Sequence, residues 1–162
     1  FQPMYFPIPL VETLKNLRFT EFAVVQDSLQ STSETVIEPI KLNHPGGASG
    51  YIIFENEKKV CCFLDHEVGG DDNVDNNLLE AANGADLVIW DGMFLDSELV
   101  SKKGWGHSSV EQGVLFAEKS LCKKIAIAHH APNRTDEQLK ELENNLPSDS
   151  MFFAAEKMKI IV

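Results

Sequence analysis

The apolar residues of this chain fall into short runs whose length and alternation are typical of β-strands. They predict strands over residues 22–25, 36–42, 50–54, 59–64, 86–90 and 124–128, and residues 157–162 are predicted as a last strand. Asn56, Glu57 and Lys58 separate two of these runs and predict a hairpin turn, although they lack the strong Asn-Gly pair.

Three segments have helical spacing. Residues 76–83 end before Gly84, a typical helix stop. Residues 110–121 place apolar side chains on one stripe, and Ser108 with Glu111 predicts a capping box at their start. Thr135 with Gln138 repeats that capping pattern for a third helix that runs toward Pro147. The later order of strand, helix, strand, helix, strand indicates an α/β layer with a mixed sheet and helices on one face.

Length and composition fit one soluble domain over residues 1–162, with 43% hydrophobic and 24% charged residues. No apolar run is long enough to span a bilayer, and no signal segment is recognisable. Cys61, Cys62 and Cys122 form no CxxC pair, which favours buried thiols and a cytoplasmic location. The chain opens on FQPMYFPIPL without an initiator Met, so we expect a fragment or a processed product.

The net charge of −11 disfavours a long nucleic acid as partner, because nucleic-acid binders present a basic face. Lys and Arg residues are few and scattered here. A local metal site could still attract a small anion against this acidic background. We therefore expect a small anionic substrate.

Candidate metal-binding and catalytic residues lie where four predicted strands end. His44, Asp65, Asp91 and His129 each follow a different strand, and strand ends of α/β sheets carry ligand sites. Taken singly, such a His is usually a surface residue and such an Asp a turn cap. Four together favour a site, and imidazole with carboxylate suits zinc, manganese or iron.

His107 lies in GWGHSS, directly before the second predicted helix. Asp91 could accept a hydrogen bond from one of its ring nitrogens, and a His oriented in this way can protonate a departing alkoxide. The alternative is that His107 only caps the helix. His66 and His130 adjoin Asp65 and His129, and we treat them as supporting residues because neighbours on an extended segment point apart.

The strings HPGGASGY, FLDHE, ADLVIWDGMFLD, GWGHSS and AHHAP together resemble the metallo-β-lactamase superfamily, in the branches of ribonuclease Z and the phosphoribosyl cyclic phosphodiesterases. The resemblance implies half of an αββα sandwich. It implies that His44, Asp65 and His129 are metal ligands. It also implies that His107 protonates the leaving group, with Asp91 supporting it.

The HxHxDH motif of that superfamily is absent, since no two histidines of the chain are spaced i, i+2. The resemblance therefore implies the C-terminal half of the fold, with part of the ligand set for two divalent ions, zinc first and manganese or iron as alternatives. An N-terminal half or a partner chain would supply the remaining ligands.

The expected activity is metal-dependent hydrolysis of a small or cyclic phosphodiester. The alternative is a truncated or degenerate module that serves binding or assembly without catalysis, and a homo-oligomer is also open. Substrate, metal and the fate of the other half are not fixed by the sequence.

Overall fold

The computed structural model describes residues 29–31 and 35–162 of the chain. The predicted strand 22–25 lies outside this part. The described residues form one mixed sheet whose seven strands follow one another in chain order. The strands are β1 Leu29–Ser31, β2 Thr35–Leu42, β3 Ala48–Glu55, β4 Lys58–Phe63, β5 Leu87–Asp91, β6 Ile125–Ala128 and β7 Met151–Phe153.

The type of strand pairing changes once across the sheet. The pairs β1–β2, β2–β3 and β3–β4 are antiparallel, whereas β4–β5, β5–β6 and β6–β7 are parallel. The β3–β4 hairpin turns at Asn56 and Glu57, which both have positive φ angles of 47° and 64°. Two such residues are the requirement of a type I′ turn, so the predicted hairpin is confirmed.

The helices of the described residues are α1 Asp72–Ala82, α2 Asp96–Leu99, α3 Val110–Ser120 and α4 Asp136–Asn144. Apolar side chains from α1 and α3 join one core with alternate residues of the strands, including Phe63 and Trp90. The Trp90 and Phe116 rings lie 4.5 Å apart, and a Cβ at Gly113 would come within 2.6 Å of Trp90. The helices thus pack on one sheet face, as the sequence predicts.

Three local predictions are wrong. Residues 157–162 form no strand, and β7 at Met151–Phe153 pairs with β6 instead. Helix α1 begins at Asp72 rather than at residue 76, because Asp71 caps it by accepting a hydrogen bond from the Asn73 N–H. Helix α3 is capped by Ser109 with Gln112, not by Ser108 with Glu111.

The three cysteines are free thiols within the core region, and Cys61 is fully buried. Burial raises the pKa of Cys61 to about 12 and also raises the pKa of Cys62 and Cys122. These thiols are therefore poor nucleophiles, as buried structural cysteines are. Among the helices described, none is long and apolar enough to cross a membrane.

Candidate metal centre

Four strands end at the same edge of the sheet, and a His or Asp lies at or just after the end of each. Strands β4, β5 and β6 are parallel, and β2 shares their direction because two antiparallel pairings separate it from β4. Their carboxyl ends therefore meet at one edge. His44 follows β2, Asp65 follows β4, Asp91 ends β5 and His129 follows β6.

Four of the five predicted site residues form one compact cluster. Ligand atoms of Asp65, Asp91, His107 and His129 all lie within 4.8 Å of one another. The imidazole centroids of His107 and His129 are 4.9 Å apart. Two carboxylates and two imidazoles at this spacing match the donor set that zinc, manganese or iron takes in proteins. The residues present fit a divalent metal ion.

Asp91 is the buried centre of this cluster, with a fully shielded side chain. Its Oδ2 lies 2.8 Å from Nδ1 of His107 and 3.1 Å from Nδ1 of His129. The same oxygen accepts from the Asp65 N–H at 2.9 Å. Because this oxygen acts as the acceptor, the contacts favour the tautomers in which both imidazoles donate from Nδ1. Their Nε2 atoms are then the nitrogens left for a metal or a substrate.

Asp65 and His129 both adopt the left-handed backbone conformation, with φ angles of 61° and 58°. Neither residue lies in a hairpin turn or at a helix end, where this conformation is usual. Strained residues of this kind cluster at functional sites. The side chains of Asp65 and His129 are 49% and 34% exposed, so both reach solvent while Asp91 does not.

His44 lies beside the four-residue cluster rather than within it. Its ring centroid is 5.7 Å from that of His107, and its Nδ1 accepts from the Gly46 N–H at 3.1 Å. A Cβ placed on Gly106 would come within 2.1 Å of the His44 ring. The His44 ring is thus seated against the backbone that leads to His107. Its role as a metal ligand stays a prediction.

The two neighbouring histidines point away from the cluster. His66 is buried, and its Nε2 lies 3.0 Å from Asp75 Oδ1. The His130 ring packs against Phe153 with centroids 4.6 Å apart. Burial lowers the pKa of both histidines. The contacts with Asp75 and Phe153 direct the two rings away from the four-residue cluster.

The sequence interpretation did not single out Glu67 or Lys102, although both lie close to the site. The Lys102 ammonium sits 4.0 Å from the centroid of the exposed Trp105 ring. The Phe94 ring contacts both Trp105 and His107 edge to face. An aromatic and cationic surface thus adjoins His107. The FLDHE string contained the only sequence signal for Glu67.

No protein-family model matches the chain, and no curated protein sequence matches it either. Solved structures do match. A diphosphatase of the PhnP family superposes with a TM-score of 0.64 at 18% identity, over 86% of this chain and 47% of its own. The metallo-β-lactamase fold protein YhfI from Bacillus subtilis gives 0.61 at 14%, over 79% and 49%. The short form of human tRNase Z gives 0.55 at 21%, over 65% and 39%.

These likenesses show that the described residues have the fold of part of a metallo-β-lactamase domain. The resemblance seen in the sequence is confirmed at the level of fold, including its likeness to a tRNase Z and a PhnP-family structure. The chain spans 39% to 49% of the length of these three structures.

Proposed function

We propose that this chain forms the C-terminal part of a metal-dependent hydrolase that cleaves a small or cyclic phosphodiester. The observation that carries the proposal is the convergence of His107 and His129 on the buried Asp91 carboxylate, beside Asp65, at the carboxyl edge of this fold. Histidines that bind a metal usually donate their other ring N–H to a carboxylate in this way.

His44, Asp65 and His129 would hold the metal ions, of which the complete site would take two, zinc first and manganese or iron as alternatives. Bound there, divalent ions would lower the pKa of a water molecule and offset charge on the phosphoryl oxygens. Asp65 suits this role because its exposed carboxylate offers two oxygens. The left-handed backbone at Asp65 and His129 directs both side chains from the end of their strands toward the same point.

His107 is the proposed proton donor. Asp91 accepts from Nδ1 at 2.8 Å, which fixes the ring. In its protonated, imidazolium form His107 would carry a second proton on Nε2, and this proton would pass to the leaving oxygen. The His107 side chain is only 12% exposed, so bulk water competes little for that position. Asp91 acts through His107, as a positioning residue.

Lys102 and Trp105 support an anionic substrate with a flat or apolar portion, since this cation and this exposed indole ring lie beside the Phe94 ring that contacts His107. The net charge of −11 favours a small ester over a long nucleic acid. Two of the structural neighbours are a diphosphatase and a tRNase Z, and phosphoester chemistry here would agree with both. Free, weakly acidic thiols fit the proposed cytoplasmic location.

The remaining ligands would come from a second half of the sandwich, either in the same protein or in a partner chain. The sheet face opposite the helices is lined by half-buried apolar side chains, among them Ile37, Ile53, Val60 and Ile89. Such a face is suited to pack against a second sheet. The same face favours the alternative function, a non-catalytic module or homo-oligomer that uses this surface for assembly.

The test measures metal content and hydrolysis of bis(p-nitrophenyl) phosphate with added zinc or manganese, together with oligomeric state. We expect His107→Ala to lower kcat by about 10²–10⁴-fold, the contribution of a placed acid. His130→Ala is the matched control, because that ring packs on Phe153 away from the cluster. A metal-free assembly without phosphodiesterase activity would favour the non-catalytic module. Measurable hydrolysis that is equal in His107→Ala and wild type would refute the acid role.

A further inference from the structure

The tripeptide Asp65-His66-Glu67 follows β4 and contacts both loops that flank it. Asp65 points into the candidate metal centre, whereas the next two residues turn toward the loops of His44 and His107. The hydrogen bonds between these two residues and the two loops all involve a residue adjacent or close to a predicted site histidine.

Glu67 holds the loop that leads to His107. Its Oε1 accepts from the Gly104 N–H and its Oε2 from the Gly106 N–H, both at 2.7 Å. Both glycines have positive φ angles, 82° and 88°, which turn their N–H groups toward one carboxylate. Hydrogen bonds to an ionised acceptor are about twice as strong as neutral ones. The turn immediately before His107 is therefore clamped at two points.

His66 holds the loop that leads to His44. Its Nδ1 accepts from the Asn43 N–H at 3.2 Å, and the Asn43 side chain donates to the Glu67 carbonyl at 2.7 Å. The Glu67 N–H in turn donates to the Asn43 carbonyl at 2.8 Å. On the other side, Ser108 Oγ donates to the His66 carbonyl. The residues next to His44 and His107 are thus both bonded to this dipeptide.

We propose that His66 and Glu67 form a positioning element that fixes His44 and His107 relative to Asp65. The proposal rests on the proposed metal-dependent function for its purpose, and on the contacts above for its geometry. Of the two residues, Glu67 has the more specific expected effect. Gly106 is buried, so its N–H would lose its partner without Glu67, and the His44 ring packs on the same Gly106. A shift of Gly106 would displace both imidazoles.

The experiment compares the full chain with Glu67→Ala and Glu67→Gln, and uses Glu143→Gln as the matched control. Glu143 also accepts a backbone N–H, from Phe153 at 2.8 Å, but lies away from the centre. Amide exchange and ¹⁵N spectra of the imidazoles are recorded without metal, and zinc affinity is measured by calorimetry.

For Glu67→Ala we expect faster exchange at Gly106, a changed His107 ring spectrum and zinc binding weakened about 10–100-fold. Glu67→Gln should fall between, because one oxygen can serve only one of the two donors well, and it also covers the case in which Glu67→Ala does not fold. Glu143→Gln should leave all three readouts unchanged. Unaltered exchange and ring spectra in both Glu67 variants would overturn the proposal. Wild type that binds no zinc would instead contradict the metal function, while the metal-free spectra still decide this inference.

Discussion

Asp91 Oδ2 lies 2.8 Å from Nδ1 of His107, and the carboxylate that makes this contact is completely shielded from solvent. The oxygen also accepts from the Asp65 N–H, so a backbone group of one predicted ligand and the ring of the proposed acid meet at the same atom. A substitution that alters this oxygen should therefore affect both the Asp65 backbone and the His107 ring.

Asp91→Asn should weaken zinc binding about 10–100-fold and reduce phosphodiester hydrolysis at least as much. Both imidazoles contact Oδ2, and a neutral amide oxygen in its place would accept from them more weakly than a carboxylate does. The NH₂ group would then face the Met93 N–H, which donates to Oδ1 in the wild type, and it cannot accept. The loss of a buried, charge-assisted bond should also lower the free energy of unfolding by about 1–3 kcal/mol. Calorimetry and urea unfolding measure the two effects. Zinc affinity equal to that of wild type would contradict the positioning role.

Gly106→Ala should disrupt the centre, whereas Gly104→Ala should not. Both glycines have positive φ, so both variants strain the backbone similarly, by roughly 1 kcal/mol. Only at Gly106 would the new Cβ meet the His44 ring, at 2.1 Å; at Gly104 it meets nothing within 4 Å. Zinc affinity and thermal unfolding of the pair separate the clash from the strain. Equal zinc affinities would show that His44 does not depend on this contact.

Asp65→Asn should have opposite effects on stability and binding. Carboxylate oxygens of Asp65 and Asp91 lie within 4.8 Å, and the amide removes their repulsion while preserving shape. The gain in metal-free stability should stay below about 1 kcal/mol because the Asp65 side chain is 49% exposed. The melting temperature without metal should therefore rise and the zinc-induced shift should fall. A lower melting temperature without metal would argue against the repulsion.

Asp86 should contribute stability that disappears in acid. Its hydrogen bond with Lys123, the Lys59 N–H and the charge of Lys58 lower its pKa from 3.8 to about 2. Because the folded pKa lies below the unfolded one, the contribution is complete above pH 3.8 and is lost as pH falls through 2. Denaturant unfolding of wild type and Asp86→Asn should differ at pH 6 and converge near pH 2. A constant difference over this range would exclude the linkage.

The sequence predicted the sheet interior well because β2 to β6 are long enough for alternation or a continuous apolar run to appear. It predicted the grouping of these side chains at one sheet edge because four such runs end in His or Asp, and their role as a metal site stays a prediction. The sequence did not predict strand β7, because three residues are too few to show an alternating pattern. The apolar residues after Lys157 have strand propensity, but β7 already occupies the position beside β6. Propensity alone does not reveal which strand occupies an edge.

The local caps and contacts were less predictable. Ser108 and Ser109 are equivalent as helix caps in sequence, and only the path of the chain decides between them, since Ser108 Oγ is already bonded to the His66 carbonyl. Glu67 likewise resembles any polar residue after a strand. Its function depends on the positive φ angles of two glycines located 37 and 39 residues away, and such long-range pairing leaves no local pattern.

The left-handed backbone conformation costs Asp65 and His129 roughly 1–3 kcal/mol of folding free energy each, a cost that glycine would not have. Under the proposed function, selection for thermal stability and selection for metal binding therefore oppose each other at these two positions. A lineage released from catalysis could drift to glycine at position 65 or 129 without altering the path of the chain. Glycine at these positions in related sequences would then mark descendants that retain the architecture but have abandoned the chemistry.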